Sequence, residues 1–386
     1  MGSIAIASVL FAAGCMAGEG SGSQVEIGNG STSDSAGGAG GAAAVTNPLA
    51  VTNLTSDQAK IATNSAASMV NAWGIVPFQG MFWIADNGTG KISIVDGKGV
   101  ASTGKLTSDT IDLGEGITGV AVTGLAPDDT TSLQIHGAST CAPAQLIVAS
   151  EDGKLFGINV DLSTTSGFML MDRSGSDASY KGVAVVQGAK GPMVLAADFH
   201  NARIDVFDAS FELASNVSFV VPSLPVGFAP FNVMASGDTV YVTYAMQDAD
   251  KADEVAGTGL GLLAAFDSSG KLLGTLKGDS FNAPWGMAMS RDFAAFPNAL
   301  LVGNFGDGHI TAISPVSATG LMQNMTVLGQ LMDSTGAPLT VDGLWGLSFG
   351  ADVTSARADG VYFAAGPNDE MHGMFGVIAP AAPATP

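Results

Sequence analysis

A short pattern recurs six times along this chain, and a repeat that must stack on itself constrains a fold more than any single motif. Each copy has a small, usually Gly-containing apolar strand, then a second strand that ends in a small residue followed by a polar one, then a turn into a third strand. The copies read NAWGIV with MFWIADNGTGKISIVD, ITGVAV with QLIVASEDGKLFGINVD, and YKGVAVV with MVLAADFHNARIDVFD. They continue as APFNVMA with TVYVTYAMQD and GLLAAFD, APWGMAM with ALLVGNFGDGHITAIS, and GLWGLSF with GVYFAAGPNDEMHGMFGVI. Marker positions Gly74, Gly119, Gly182, Asn232, Gly286 and Gly346 fall at steps of roughly 45 to 63 residues, the length of a propeller blade with variable loops.

Third strands such as KISIV and RIDVF alternate with period two, the pattern of half-buried antiparallel strands. A doubly wound fold needs long helical crossovers, and no connection reads that way. The expectation is an all-β, NHL-like six-bladed β-propeller over residues 49–379. Glycine is expected at the markers because innermost strands crowd one another near the axis. A ring must also close, since bare edge strands template aggregation. Residues Ala50–Asp57, AVTNLTSD, lack a partner in the first unit and are expected to add as the outer strand of the sixth, beside HGMFGVI. Residues 58–70 are the expected helical turn.

The ends read differently. Residues 4–14, IAIASVLFAAG, have the length of a signal-peptide core and are too short to span a bilayer. Cys15 follows small residues as in a lipobox, so residues 1–15 are expected to be a signal peptide with lipidation at Cys15, ordinary secretion being the alternative. Residues 16–48, mostly Gly, Ser and Ala, and the tail 380–386 are expected to be disordered. Location is therefore extracytoplasmic, with the membrane touched only through a lipid anchor. A formal net charge of −21 repels phosphate backbones, which argues against nucleic acid and leaves room for a cation. A monomer is expected.

In a propeller, the entry to each innermost strand and the hairpin between second and third strands lie on one face. The first set holds Asn71, Trp73, Tyr180, Asn232, Asn282, Trp285, Asp342 and Trp345; the second holds Asp86, Asn87, Glu151, Asp198, His200, Asn304, Asp307, Asn368 and Glu370. Aligning units one, three and five on Lys91, Arg203 and His309 makes Asp86, Asp198 and Asn304 equivalent. Three oxygen ligands at one height suit a hard cation such as calcium; the alternative is that each caps its own hairpin as an Asx-turn. His200 is the candidate general base. The tryptophans before marker glycines would either stack a ligand at the mouth or wedge between blades. The acidic stretch from Gln247 to Thr258 is a lid, an ion loop or a solvated charged loop, and it lacks the alternating oxygen spacing and central Gly of an EF-hand. Cys141 reads as lacking the basic surroundings of a nucleophile. No nucleophile elbow, P-loop or zinc spacing occurs.

The segments NAWGI, FWIADNGTG, YKGVAV, AADFHNARIDVFD, NAPWGMAM, LLVGNFGDGHI and AAGPNDEMHGMFGVI resemble an uncharacterised family of exported bacterial proteins related to NHL-repeat propellers, some ending in a PEP-CTERM sorting signal. The resemblance spans about residues 51–378 and implies the fold without an activity. More distant six-bladed propellers include metal-dependent lactonases and protein-binding NHL modules. The expected function is a surface-tethered module binding a protein, peptide or polysaccharide at the channel mouth, the alternative being a divalent-metal-dependent, lactonase-like hydrolase or lyase.

Overall fold

The computed structural model describes residues 48–114, 116–137, 140–316 and 324–381. The signal-like run, Cys15, most of the expected tether and residues 382–386 lie outside them. Six antiparallel sheets follow one another along the chain. Blade one pairs Ala72–Phe78, Met81–Asp86, Lys91–Val95 and Thr110–Asp112. Blade two pairs Ile117–Val122, Leu146–Ser150, Lys154–Ile158 and Phe168–Asp172, and carries an extra hairpin of Gln134–His136 with Cys141–Pro143. Blade three stops at three strands, Tyr180–Gly188, Gly191–Asp198 and Arg203–Phe207. Blade four has Phe228–Ser236, Thr239–Met246, Gly261–Asp267 and Leu272–Lys277, and blade five has Pro284–Met289, Leu300–Asn304, Ile310–Ile313 and Val327–Gln330. Blade six is built from Leu344–Phe349, Val361–Ala365 and Met374–Pro380, completed by Leu49–Ser56. The chain is an all-β, six-bladed propeller.

The closing strand runs antiparallel to Met374–Pro380, from Leu49 opposite Pro380 to Ser56 opposite Met374. Just past it, the Asp57 carboxylate accepts from His372 Nδ1 (2.8 Å) and from the Gly373 N–H (2.9 Å). Residues 58–70 form turns instead of the expected helix, with a two-residue parallel pairing of Asn64–Ser65 to Thr55–Ser56. Short polar side chains take the backbone there: Ser56 Oγ accepts from the Gln58 N–H, and Asn64 Nδ2 donates to the carbonyls of Leu54 and Lys98. Such local bonds compete directly with helix formation.

Burial follows the two-residue period of the strands. Alternate side chains of each middle strand enter the interfaces with the preceding and the following blade, giving six apolar clusters, one per interface. A seventh, of Trp73, Phe199, Phe231, Trp285 and Trp345 with three alanines, draws on five different blades. Marker glycines serve the interfaces. A Cβ on Gly346 would stand 2.3 Å from the Trp73 carbonyl oxygen of blade one, closer than real contacts allow. Blade four instead places Asn232 at the marker, and its Nδ2 donates to the Trp285 carbonyl of blade five (2.9 Å). No helix among the described residues is long and apolar enough to cross a membrane.

Candidate functional site

The residues just before the six markers are Trp73, Thr118, Lys181, Phe231, Trp285 and Trp345. Being equivalent, they meet around the axis. Trp73 stacks on Trp345 with centroids 3.6 Å apart, Phe305 stacks on Trp345 at 4.1 Å, and Trp285 stands edge-on to both tryptophans. All three indoles are at most 3% exposed. They form an aromatic plug across the channel, as packed core at the axis and not as wedges between two blades. Beyond the marker residues the channel is a cavity of about 470 Å³ walled by all six innermost strands.

Lys181 is the one charged member of this ring, and its side chain is 2% exposed. Its ammonium lies 5.3 Å from the centroid of Trp73 and 6.0 Å from that of Phe199, within cation–π range. It donates to Glu151 Oε1 (2.5 Å) and Asp253 Oδ1 (3.2 Å). The other Glu151 oxygen accepts from Asn87 Nδ2 (2.8 Å), Asn87 Oδ1 accepts from Asn71 Nδ2 (3.3 Å), and Asn71 Oδ1 shares the Trp345 indole N–H with Glu370 Oε1. Asp253 and Glu254 arrive on the acidic insertion of blade four. It is folded as a flap, closed by a Gln247–Glu254 bridge and tied to blade three by Gln247 Nε2 donating to the Phe199 carbonyl (2.7 Å).

Four carboxylates thus act on one lysine. Burial pushes the Lys181 ammonium down, but Glu151, Glu254 and Asp253 outweigh it and hold the group above its usual range. Burial pushes Glu254 up to about 7, with Lys181 pulling back only in part. Burial also raises Glu370, against a hydrogen bond from Asn71. The mouth is a half-sealed anionic surface whose acids are short of a counterion at neutral pH.

The trio expected to bind a cation does not converge. Asp86 pairs with Lys91, Asp198 pairs with Arg203, and Asn304 donates its N–H to the His309 carbonyl, so the alignment is right. The direction is not, because second-strand side chains face neighbouring blades and not the axis. Asp198 Oδ1 accepts from the Ser179 and Asn201 N–H groups, and Asn304 Nδ2 donates to the Ser280 carbonyl. Asp86 takes the Ser93 hydroxyl, and burial drives its carboxyl well above the usual range. Each lies in a different interface, so these residues do not fit a shared ion. Among the described residues no group of three His, Cys, Asp or Glu could hold a metal.

The other expected residues divide. Asn87, Trp345 and Glu370 belong to the mouth network, and Trp285 to the plug, its Nε1 donating to the Lys181 carbonyl (3.0 Å). Tyr180 is buried between blades two and three, its hydroxyl donating to Asp205 (2.8 Å). Asn232 links two innermost strands, as above. Asn282 accepts from the Gly257 N–H and donates to Asp307, which also accepts from Asn304 Nδ2 and the His309 N–H. Asp342 accepts from the Asn368 N–H. These serve hairpins and joints. His200 is half-buried in its hairpin, and its carbonyl accepts from Gln247 Nε2. Nothing among the described residues places its ring against the mouth network. Cys141 is exposed with His136 Nδ1 3.0 Å from its Sγ, so its surroundings are less plain than the sequence implied. Lys181 escaped sequence reasoning, although one lysine among aromatics at the residue before the marker is a visible signal.

No protein-family model matches the chain. Uncharacterized protein R648 of Acanthamoeba polyphaga mimivirus is 25% identical over 334 residues, 84% of this chain and 78% of that protein. Uncharacterized protein L690 of the same virus is 24% identical over 340 residues, 85% of each. The bacterial source implied by the resemblance is therefore not what these relatives show. Among solved structures, the soluble aldose sugar dehydrogenase of Escherichia coli aligns over 86% of this chain and all of its own, with a TM-score of 0.49 and 13% identity. A gluconolactonase from Xanthomonas campestris covers 69% of this chain and 86% of its own, with a TM-score of 0.39 and 14% identity. At such identities and TM-scores no activity passes from either to this chain.

Proposed function

We propose that the chain is a non-catalytic binding propeller, working outside the cytoplasm as a secreted or Cys15-anchored protein, whose mouth face captures a cationic group on a protein or peptide partner. One observation carries the capture of a cation: Glu151 and Asp253 bind a single buried lysine above a sealed aromatic plug, and Glu254 and Glu370 act on the same charge. The plug closes the channel beneath the mouth, and unmatched carboxylates above it favour an incoming ammonium or guanidinium. The test is calorimetric titration of the folded chain with a heptalysine peptide at low and moderate salt. Binding at pH 8 should fall at least tenfold in a Glu254→Gln, Glu370→Gln variant and weaken in the parent below pH 7, as Glu254 gains its proton. Binding indifferent to both changes would sink the proposal.

A second reading is favoured by Glu254 alone. A carboxyl titrating near 7 is matched to acid–base work at neutral pH. The mouth would then be the site of a hydrolase or lyase, with Glu254 in the role first given to His200. Lactone and ester turnover that vanishes in Glu254→Gln would support it.

A further inference from the structure

Blade three is the one blade without a fourth strand, and the space for it is a groove. Outside Arg203–Phe207 the chain makes a single bridge, Phe207 to Leu213. It is flanked by bonds from the Ala214 N–H to the Val206 carbonyl (2.7 Å) and from the Asp208 N–H to the Glu212 carbonyl (2.9 Å). Past Ala214 the chain leaves the edge, and Phe219 and Val221 pack into the interface with blade four. Between the two walls lies a groove of about 370 Å³, lined by Ala202–Val206 on one side and by Leu213 to Val221 on the other.

The flanking bonds show which backbone groups face outward. Val206 and Asp208 bond away from the sheet, so by the two-residue alternation of a strand Ile204 does as well. The N–H and C=O of Ile204 and the N–H of Val206 thus point into the groove without a partner among the described residues. Val206 is buried, and buried backbone groups are rarely left unpaired. Tyr244 lies in the lining and is 2% exposed. Alongside stand Leu213 and Val220, 47% and 60% exposed.

We propose that this groove is a docking site for an extended peptide of a partner protein, which adds antiparallel beside Ala202–Val206, where the Ile204 N–H and C=O and the Val206 N–H are open, and so supplies the missing fourth strand. A ladder of outward N–H and C=O groups at two-residue spacing is complemented by another strand. Alternate side chains of the guest would face Phe219, Leu224 and Tyr244, and the intervening ones would face solvent. Charge selects the guest further. Arg203 is engaged by Asp198 and Asp205, Asp208 and Glu212 stand exposed at one end, and the chain carries −21, so the partner strand is basic. This site is separate from the mouth and does not depend on its reading.

The probe is an acetylated peptide of sequence KLLGTLKG, residues 271–278, which contains the outer strand of blade four. Amide exchange of the free chain should be fast at Ile204 and Val206 and slow at Arg203 and Asp205, whose N–H groups face the sheet. Saturating peptide should slow the first pair at least tenfold. The same peptide N-methylated at alternate residues should lose at least tenfold in affinity. Ile204→Pro, which removes an outward donor and leaves the inner ladder intact, should do likewise. Slow exchange at Ile204 in the free chain, unimpaired binding of the methylated peptide, or protection arising from self-association with rising chain concentration would each overturn the proposal.

Discussion

Replacing Glu254 with Gln should make the protein more stable, and only above a particular pH. The carboxyl titrates near 7 in the folded chain against about 4.5 for an ordinary glutamate. A group whose pKa is raised on folding binds an extra proton between those values, so stability falls as pH rises from about 4.5 to 7. At about 1.36 kcal/mol per pH unit the whole interval corresponds to about 3.4 kcal/mol. Solvent reaches part of the side chain, and screening reduces this to roughly 1–2 kcal/mol. Gln keeps the shape and removes the ionisation. Urea denaturation at pH 8 should therefore show a midpoint raised by roughly 0.5 M, at a slope of about 2–3 kcal/mol per M. At pH 4.5, where the parent carboxyl is already protonated, the two chains should unfold together. A gain equal at both pH values, or a loss at pH 8, would refute the account of Glu254 as an ionised group held against its preference. A gain at pH 8 with lost peptide binding would show a site maintained at the expense of stability.

Two further outcomes follow from the same geometry. Lys181→Met removes the only cation of the ring and leaves Glu151 and Asp253 facing each other, and because both reach water the loss should be about 2–3 kcal/mol at pH 8, below the full cost of breaking a buried pair. Thermal melts should show it shrinking at pH 4.5, where Glu254 is protonated and no longer adds to the unbalanced charge. Gly346→Ala sets a Cβ against the Trp73 carbonyl at the joint of blades six and one and should cost about 2–3 kcal/mol by chemical denaturation, whereas Gly175→Ala, with open space at its Cβ, should be near neutral.

Much of this architecture was legible in the sequence because the repeat records it. Six marker positions, the hairpin ends at Asp86, Asp198 and Asn304, and the strand at Ala50 all fell where the alignment put them. Alignment reports height along a blade and not the side of the sheet, so the cation trio failed on direction alone. Outer strands were illegible because Thr110–Asp112 and Val327–Gln330 are short and half-exposed, with little pattern to read. Lys181 and Glu254 could not be joined in advance, since one begins blade three and the other lies in an insertion of blade four. Only the folded flap brings Asp253 and Glu254 to the lysine. Residues 58–70 misled through composition, as side chains fit for capping a helix instead bonded the turns.

The way blade six is completed also dictates an order of events. Leu49–Ser56 emerges from the ribosome well before the strand it must join, and His372 meets Asp57 across 315 residues of chain. At about 5–20 residues per second, that partner is roughly 15 seconds to a minute away. Five blades can assemble in sequence meanwhile, each on the last, while the earliest strand waits unpaired. Sealing is then the slowest search in the molecule, because it spans the greatest separation along the chain. Truncation anywhere in the final blade should therefore release an intact but unsealed arc.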